Sequence, residues 1–256
     1  MIKNIRSGIK AYGNTFGLMA KLRLWKYFLI PIAISIVTAA VIGVTAYTLS
    51  DTIGSFIARL WVWEWAKETV TNISSVIGGT LVVILGLILY KHIIMALSAP
   101  FMSPVSEKIE AHYFEGKQDY MHRKTSFRDQ LWRGIRINLR NLAMELLLTI
   151  PLIILGFTPV SILATALIFL IQAYYAGFGN IDYTLERHLP YKESIAFVRN
   201  KRGIAIGNGI VFMLFLFIPI LGIILVLPFS VTAASHQTIS LLHKEKQLSS
   251  SKKTLI

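Results

Sequence analysis

Leu142 to Phe178 reads LAMELLLTIPLIILGFTPVSILATALIFLIQAYYAGF, two apolar arms joined by Phe157-Thr158-Pro159. The first arm, Leu142 to Gly156, gives roughly 22 Å of helix, short of a hydrocarbon core near 30 Å. The turn carries no charge, although a turn at the far surface of a membrane ordinarily presents something polar to water. This predicts a helical hairpin that enters from one side and turns within the membrane, tolerated at that depth only where protein covers its backbone. A second unit runs from Ile204 to Phe217, through Pro219 and Gly222, to about Ser235. Arg133-Gly134-Ile135-Arg136-Ile137 precedes the first unit and Arg202-Gly203-Ile204-Ala205-Ile206 the second, and Ile150-Pro151 matches Ile218-Pro219. The pattern suggests an internal duplication, common among transporters.

Outward from the hairpins lie longer apolar runs. Residues 28–48 and 76–99 each suffice to cross a bilayer, with Pro31 in the first turn of the earlier one. Residues 1–27 carry Ile5, Ile9, Tyr12, Phe16 and Met19 on one helical face, with Lys3, Arg6, Lys10 and Lys21 largely opposite. That is the pattern of an amphipathic helix lying in the interface. The expected fold is an all-α integral membrane protein of one domain, 1–243. It comprises the interfacial helix 1–27, spanning helices 28–48 and 76–99, and re-entrant hairpins 142–178 and 204–235. A disordered basic tail, 244–256, is expected to follow.

Charge supplies the orientation. The chain has 256 residues, 54% of them hydrophobic and 15% charged, yet Lys and Arg number 26 against 13 Asp and Glu. Basic residues crowd 1–27, 100–141, 179–203 and the tail, whereas 49–75 holds only Arg59 and Lys67 beside Trp61, Trp63 and Trp65. Blocks of positive charge between apolar runs mark cytoplasmic loops, so both termini are expected inside and the tryptophans in an outer interfacial belt. The same distribution argues against a nucleic-acid partner and for anionic membrane lipids. There is no cysteine, which removes disulfides and thiolate chemistry. No cleavable signal is expected, because the first long apolar run starts near Phe28. Neither G-x-x-x-x-G-K-[ST] nor G-x-G-x-x-G occurs, so no nucleotide cofactor is expected.

The chain resembles the CysZ-type sulfate permease family, which shares a domain with etoposide-induced membrane proteins. The resemblance covers about residues 5–243. It rests on Ala99-Pro100-Phe101 with Glu107 and Glu110, and on Asp182-Tyr183 with Pro190-Tyr191-Lys192-Glu193 and Arg199, Lys201 and Arg202. Lys26 through Pro31, a basic residue leading into a proline-containing span, is the third match. Where the family often has a proline-containing turn and two arginines before the first span, this chain has Lys21-Leu22-Arg23-Leu24-Trp25-Lys26. The resemblance implies sulfate, or a similar oxyanion, admitted to a bacterial cytoplasm for cysteine synthesis. Such a permease would be channel-like or driven by an ion gradient.

Arg23 and Lys26 stand where a helix N-terminus offers free amides to an anion, though basic residues there also anchor helices at headgroups. Arg133, Arg136 and Arg140 form one helical stripe, readable as an electropositive funnel or as snorkelling partners of nearby carboxylates. Lys91 and Glu145 lie in apolar segments, where a charge costs about 2.5–3.5 kcal/mol, so each should face protein or water. They either pair or line a path with Gln172 and Asn208. Glu107, Glu110, Asp182 and Glu186 read as a salt-bridge network rather than acid–base machinery, because nothing fixes a nucleophile, metal or water beside them. The six histidines show no convincing metal spacing, so neither a metal nor an enzymatic role is expected. Poor cover for half-inserted hairpins in one small chain points to a homo-oligomer. The rival reading is a non-transporting membrane scaffold or assembly protein.

Overall fold

In a bilayer every backbone amide and carbonyl must find its partner within the protein, which favours helix over long apolar runs. The computed structural model describes residues 1–59, 67–113, 123, 125–156, 158–218 and 221–254, and among these every regular element is helical. In order they are α1 (Ile2–Lys10), a 3-10 turn (Ala11–Asn14), α2 (Thr15–Lys21), α3 (Trp25–Arg59) and α4 (Lys67–Tyr113). There follow α5 (Phe127–Leu155), α6 (Ser161–Leu185), α7 (Tyr191–Asn200), α8 (Arg202–Leu216) and α9 (Leu221–Thr254). The described residues contain five segments long and apolar enough to cross a membrane: Trp25–Leu49, Ile88–Tyr113, Phe127–Leu155, Ser161–Leu185 and Ile224–Glu245. Trp61, Trp63, Trp65, Phe157 and Pro219, which figure in the sequence reading, lie outside the described residues.

Several helices outrun their apolar cores. α4 has 47 residues and carries Pro100 and Pro104 inside it, so the Ala99-Pro100-Phe101 motif is helical instead of opening a connector. Packing explains the continuation: Met102, Val105 and Ile109 are fully buried and join the central core. Pro100 cannot donate to the Ala96 carbonyl, and α5 approaches at that point. A Cβ built on Gly134 would lie 2.9 Å from Ala96 O and 2.5 Å from Ala99 Cβ. α5 starts at Ser126, whose hydroxyl accepts from the Asp129 amide while the Asp129 carboxylate accepts from the Ser126 amide. This capping box satisfies two otherwise orphaned donors. Its 29 residues join the arginine stripe and the apolar arm in one helix. α9 continues to Thr254, through the region expected to be a disordered tail, and Glu245 on it pairs with Lys201 at 2.9 Å.

The N-terminal segment divides into α1, the 3-10 turn and α2, with Gly13 and Asn14, weak helix formers, at the break. Only part of its apolar face is left for lipid. Met19 is fully buried, and α1 packs on α8, where a Cβ on Gly8 would stand 2.6 Å from Ile204 O. Ile9 and Phe16 remain exposed. The two later helical pairs, α5–α6 and α8–α9, meet where α6 crosses α8. Gly177 lies against the Ala205 carbonyl and Gly209 against the Ala173 carbonyl, too close for any side chain on either glycine. Small residues allow such backbone approach in membrane helices. One buried cluster around Phe28, Ile94, Met95, Met102 and Phe212 joins α2, α3, α4, α6, α8 and α9. A second, around Phe178, Leu185 and Val198, lies beneath α7.

Candidate functional site

Three residues turn the chain from α2 into α3. The Leu24 amide donates to Met19 O at 2.9 Å and the Arg23 amide to Ala20 O at 3.2 Å. That pair of bonds places the residue after the helix cap in the left-handed region, usually a glycine position. Here it is Arg23, with φ 51°. The conformation costs an L-residue about 1–2 kcal/mol. Burial of Leu24 and Met19 in one cluster offsets that cost and closes the turn.

Arg23 is therefore held at an exposed corner, and Lys26 follows in the first turn of α3. Lys26 Nζ lies 5.2 Å from the Tyr27 ring centroid, and Lys108 Nζ of α4 lies 5.8 Å from the same ring. No acidic residue occupies the first turn of α3. Among the described residues Arg23, Lys26 and Lys108 form no ion pair. Three unneutralised cations beside the positive end of a helix can accept an oxyanion.

The interior cations are differently placed. Lys91 Nζ reaches Glu145 Oε1 at 2.6 Å, and His92 Nε2 lies 3.1 Å from Glu145 Oε2; all three residues are buried. Lys91 also donates to the Gln172 carbonyl at 3.5 Å. A lone charge here would carry the insertion cost given above, and the pair offsets much of it. At the hairpin bases Arg133 grips Asp182 through two nitrogens, at 3.1 and 2.9 Å, and donates to Leu189 O at 2.8 Å. Ser194 donates to the same carboxylate. Arg187 pairs with Glu110 and donates to Ser106 Oγ at 3.1 Å, from which hydroxyl contacts run through Thr184 to Ser235. Asn180 donates to Asn208 at 2.9 Å and Asn208 to Ser230 O at 3.1 Å, tying α6, α8 and α9 together. Burial, assisted by the Asp182 carboxylate, pushes the Glu186 carboxyl up to about 7.

These placements divide the sequence candidates into separate groups. Arg23 and Lys26 share the opening of α3. Lys91 and Glu145 meet in the interior, where Gln172 contributes its backbone and Asn208 belongs to another cluster. Arg133 is committed to Asp182, while Arg136 stacks over Tyr191 at 4.2 Å and Arg140 over Phe178 at 5.5 Å. Glu110 and Asp182 are in ion pairs, Glu186 is buried near Asp182, and Glu107 is exposed without an ion pair among the described residues. The sequence reading missed His92, Lys108, Arg187 and Ser194. His92 follows Lys91 directly and could have been suspected, but Lys108 is recruited by the fold from the far end of α4. No three His, Asp or Glu side chains gather as a metal site among the described residues.

Residues 11–226 match the profile of the family described as sulfate transporter CysZ/etoposide-induced protein 2.4. Two proteins named sulfate transporter CysZ are each 27% identical to the chain over 233 residues, covering 90% of it and 93% of their own length. They come from Pseudomonas paraeruginosa (strain DSM 24068 / PA7) and Pseudomonas aeruginosa (strain LESB58).

Removing one member of the interior pair leaves the other charged and enclosed. Lys91→Ala is expected to cost about 3–5 kcal/mol, whereas Lys91→Met with Glu145→Leu, an apolar pair of similar volume, should recover most of it. Thermal unfolding of both variants in detergent checks this. A double variant less stable than Lys91→Ala would show that Glu145 acts through other partners.

Proposed function

Because the chain belongs to the sulfate transporter CysZ/etoposide-induced protein 2.4 family, we propose that it is a sulfate permease of the bacterial cytoplasmic membrane. The observation carrying this reading is the contrast between its cations. Lys91, Arg133 and Arg187 are matched with carboxylates inside the fold, whereas Lys26 and Lys108 flank the Tyr27 ring, and Arg23 turns the chain into α3, without an ion pair among the described residues. Sulfate is a compact dianion with four acceptor oxygens and can bridge such cations and the amides opening α3. With no nucleotide motif, passage is channel-like or follows an ion gradient. The path follows the polar interior beside the Lys91–Glu145 pair, which stays closed as the anion passes.

Lengths support two spanning helices and two half-penetrating hairpins. From Glu145 to the end of α5 at Leu155 is ten residues, about 15 Å of helix. From Lys91 back to the start of α4 at Lys67 is 24 residues, about 36 Å. Even aligned with α4, the hairpin tip stops well short of its end. Asn208 lies eight residues, about 12 Å, before the end of α8, so the second hairpin is similarly shallow. Exposed Leu147, Ile150, Ile154 and Ile162 around the first tip would be covered by lipid or by other copies in a homo-oligomer. The charge bias supports a cytoplasmic position for both termini. The enclosed Lys91–Glu145 pair also suits the rival scaffold reading, since a structural tie needs no open path.

Equilibrium sulfate binding to the purified protein tests the site. Lys26→Ala, and independently Arg23→Gln, should weaken binding about tenfold or more, as expected for losing a charge-assisted contact. Unchanged affinity in folded variants would remove the assignment. The chain has no native thiol, so a cysteine at Thr158 reports hairpin depth. An impermeant maleimide outside right-side-out vesicles should leave it unlabelled, and rapid labelling would make the hairpin a full span.

A further inference from the structure

Arg136 and Arg140 do not join the charged interior. They lie on the outer side of α5 and make no ion pair among the described residues. A groove of about 460 Å³ runs between them, lined by Trp132, Leu139 and Tyr191 as well as the arginines. Tyr191 supports the Arg136 guanidinium from α7, and Phe178 supports Arg140 from α6. Arg140 donates through Nη1 to Asn141 Oδ1 at 3.0 Å, which leaves its other N–H groups and those of Arg136 available to an anion.

The apolar surface below the groove supplies the second half of a ligand. Trp132, Arg136 and Leu139 belong to a stripe at spacings of four and three, continuing through Ala143, Leu147, Ile150 and Ile154. Trp132 is 66% exposed, Leu139 63%, Leu147 65% and Ile154 66%, so one uncovered face runs from the arginines towards the hairpin tip. The change from basic to apolar sequence falls between Arg140 and Leu142, at the level where headgroups meet acyl chains. We propose that this face is a binding site for an anionic phospholipid. Arg136 and Arg140 hold its phosphate, Trp132 and Tyr191 flank the headgroup, and the acyl chains follow Leu139, Leu147 and Ile154. The ligand must carry both negative charge and long apolar tails, which distinguishes it from a free oxyanion. The site lies apart from Arg23 and Lys26 and is independent of which solute crosses.

Native mass spectrometry of the full chain, with equal amounts of phosphatidylglycerol and phosphatidylcholine, tests the proposal. The wild-type protein should retain phosphatidylglycerol preferentially. Arg136→Gln with Arg140→Gln should reduce that preference by about fivefold for each arginine. The charge-matched Lys3→Gln, Lys10→Gln variant should retain it. Equal retention of both lipids by the wild-type protein overturns the proposal, as does an unchanged preference in the arginine variant. Two arms need no loss of an arginine. Displacement of retained lipid by excess sodium sulfate would make the groove an oxyanion mouth. A disulfide between copies at Leu139→Cys, with lipid excluded, would make it a protein interface. Lipid retained against sulfate, without that crosslink, supports the lipid site.

Discussion

The Glu145 carboxylate is the fixed point of the structure. It is fully buried, holds Lys91 through one oxygen and His92 through the other, and thereby binds the first hairpin to the second long helix. An apolar environment makes this contact selective, because an unmatched charge there is expensive while a matched one is tolerated. The register of α5 against α4 is set at two places, Glu145 against Lys91 and Gly134 against Ala96. A slip at either would enclose an unpaired charge or drive backbone into backbone.

From that anchor the other arrangements follow. With α5 fixed to α4, Arg133 reaches Asp182 and holds the base of α6. α6 then meets α8 at Gly177 and Gly209, where atoms beyond the backbone would prevent the crossing. α1 closes on α8, and Tyr12 reaches the Asn208 carbonyl at 2.9 Å. The interior charges are thus consumed in assembly. Exposed cations remain at the opening of α3, on α1, along the outer side of α5 and around the start of α8. The set at the opening of α3 adjoins a helix N-terminus, and the sulfate reading rests there.

Much of this was legible in the sequence because bilayer constraints are strong. Uninterrupted apolar runs gave the helices, and the isolated Lys91 and Glu145 announced that each needed a partner. Asp182 reads as part of a salt-bridge network, but the sequence leaves Arg133 open between a funnel and a carboxylate partner, and the structure pairs the two. What escaped depends on tertiary packing. The basic stretch 100–141 reads as a cytoplasmic loop, yet burial of Met102, Val105 and Ile109 carries the helix on through Pro100 and Pro104. The left-handed Arg23 is invisible from composition, since glycine would be expected there. Lys108 joins Tyr27 only because α3 and α4 pack side by side, and α1 reads as purely interfacial until its glycine face meets α8.

Sulfate passage through the fold is measured most directly as uptake of labelled sulfate into liposomes containing the purified wild-type chain. Saturable entry that competing oxyanions reduce and neutral solutes do not is the predicted result. Folded protein in sealed liposomes that admits no oxyanion above the protein-free background would contradict it and leave the scaffold reading in its place.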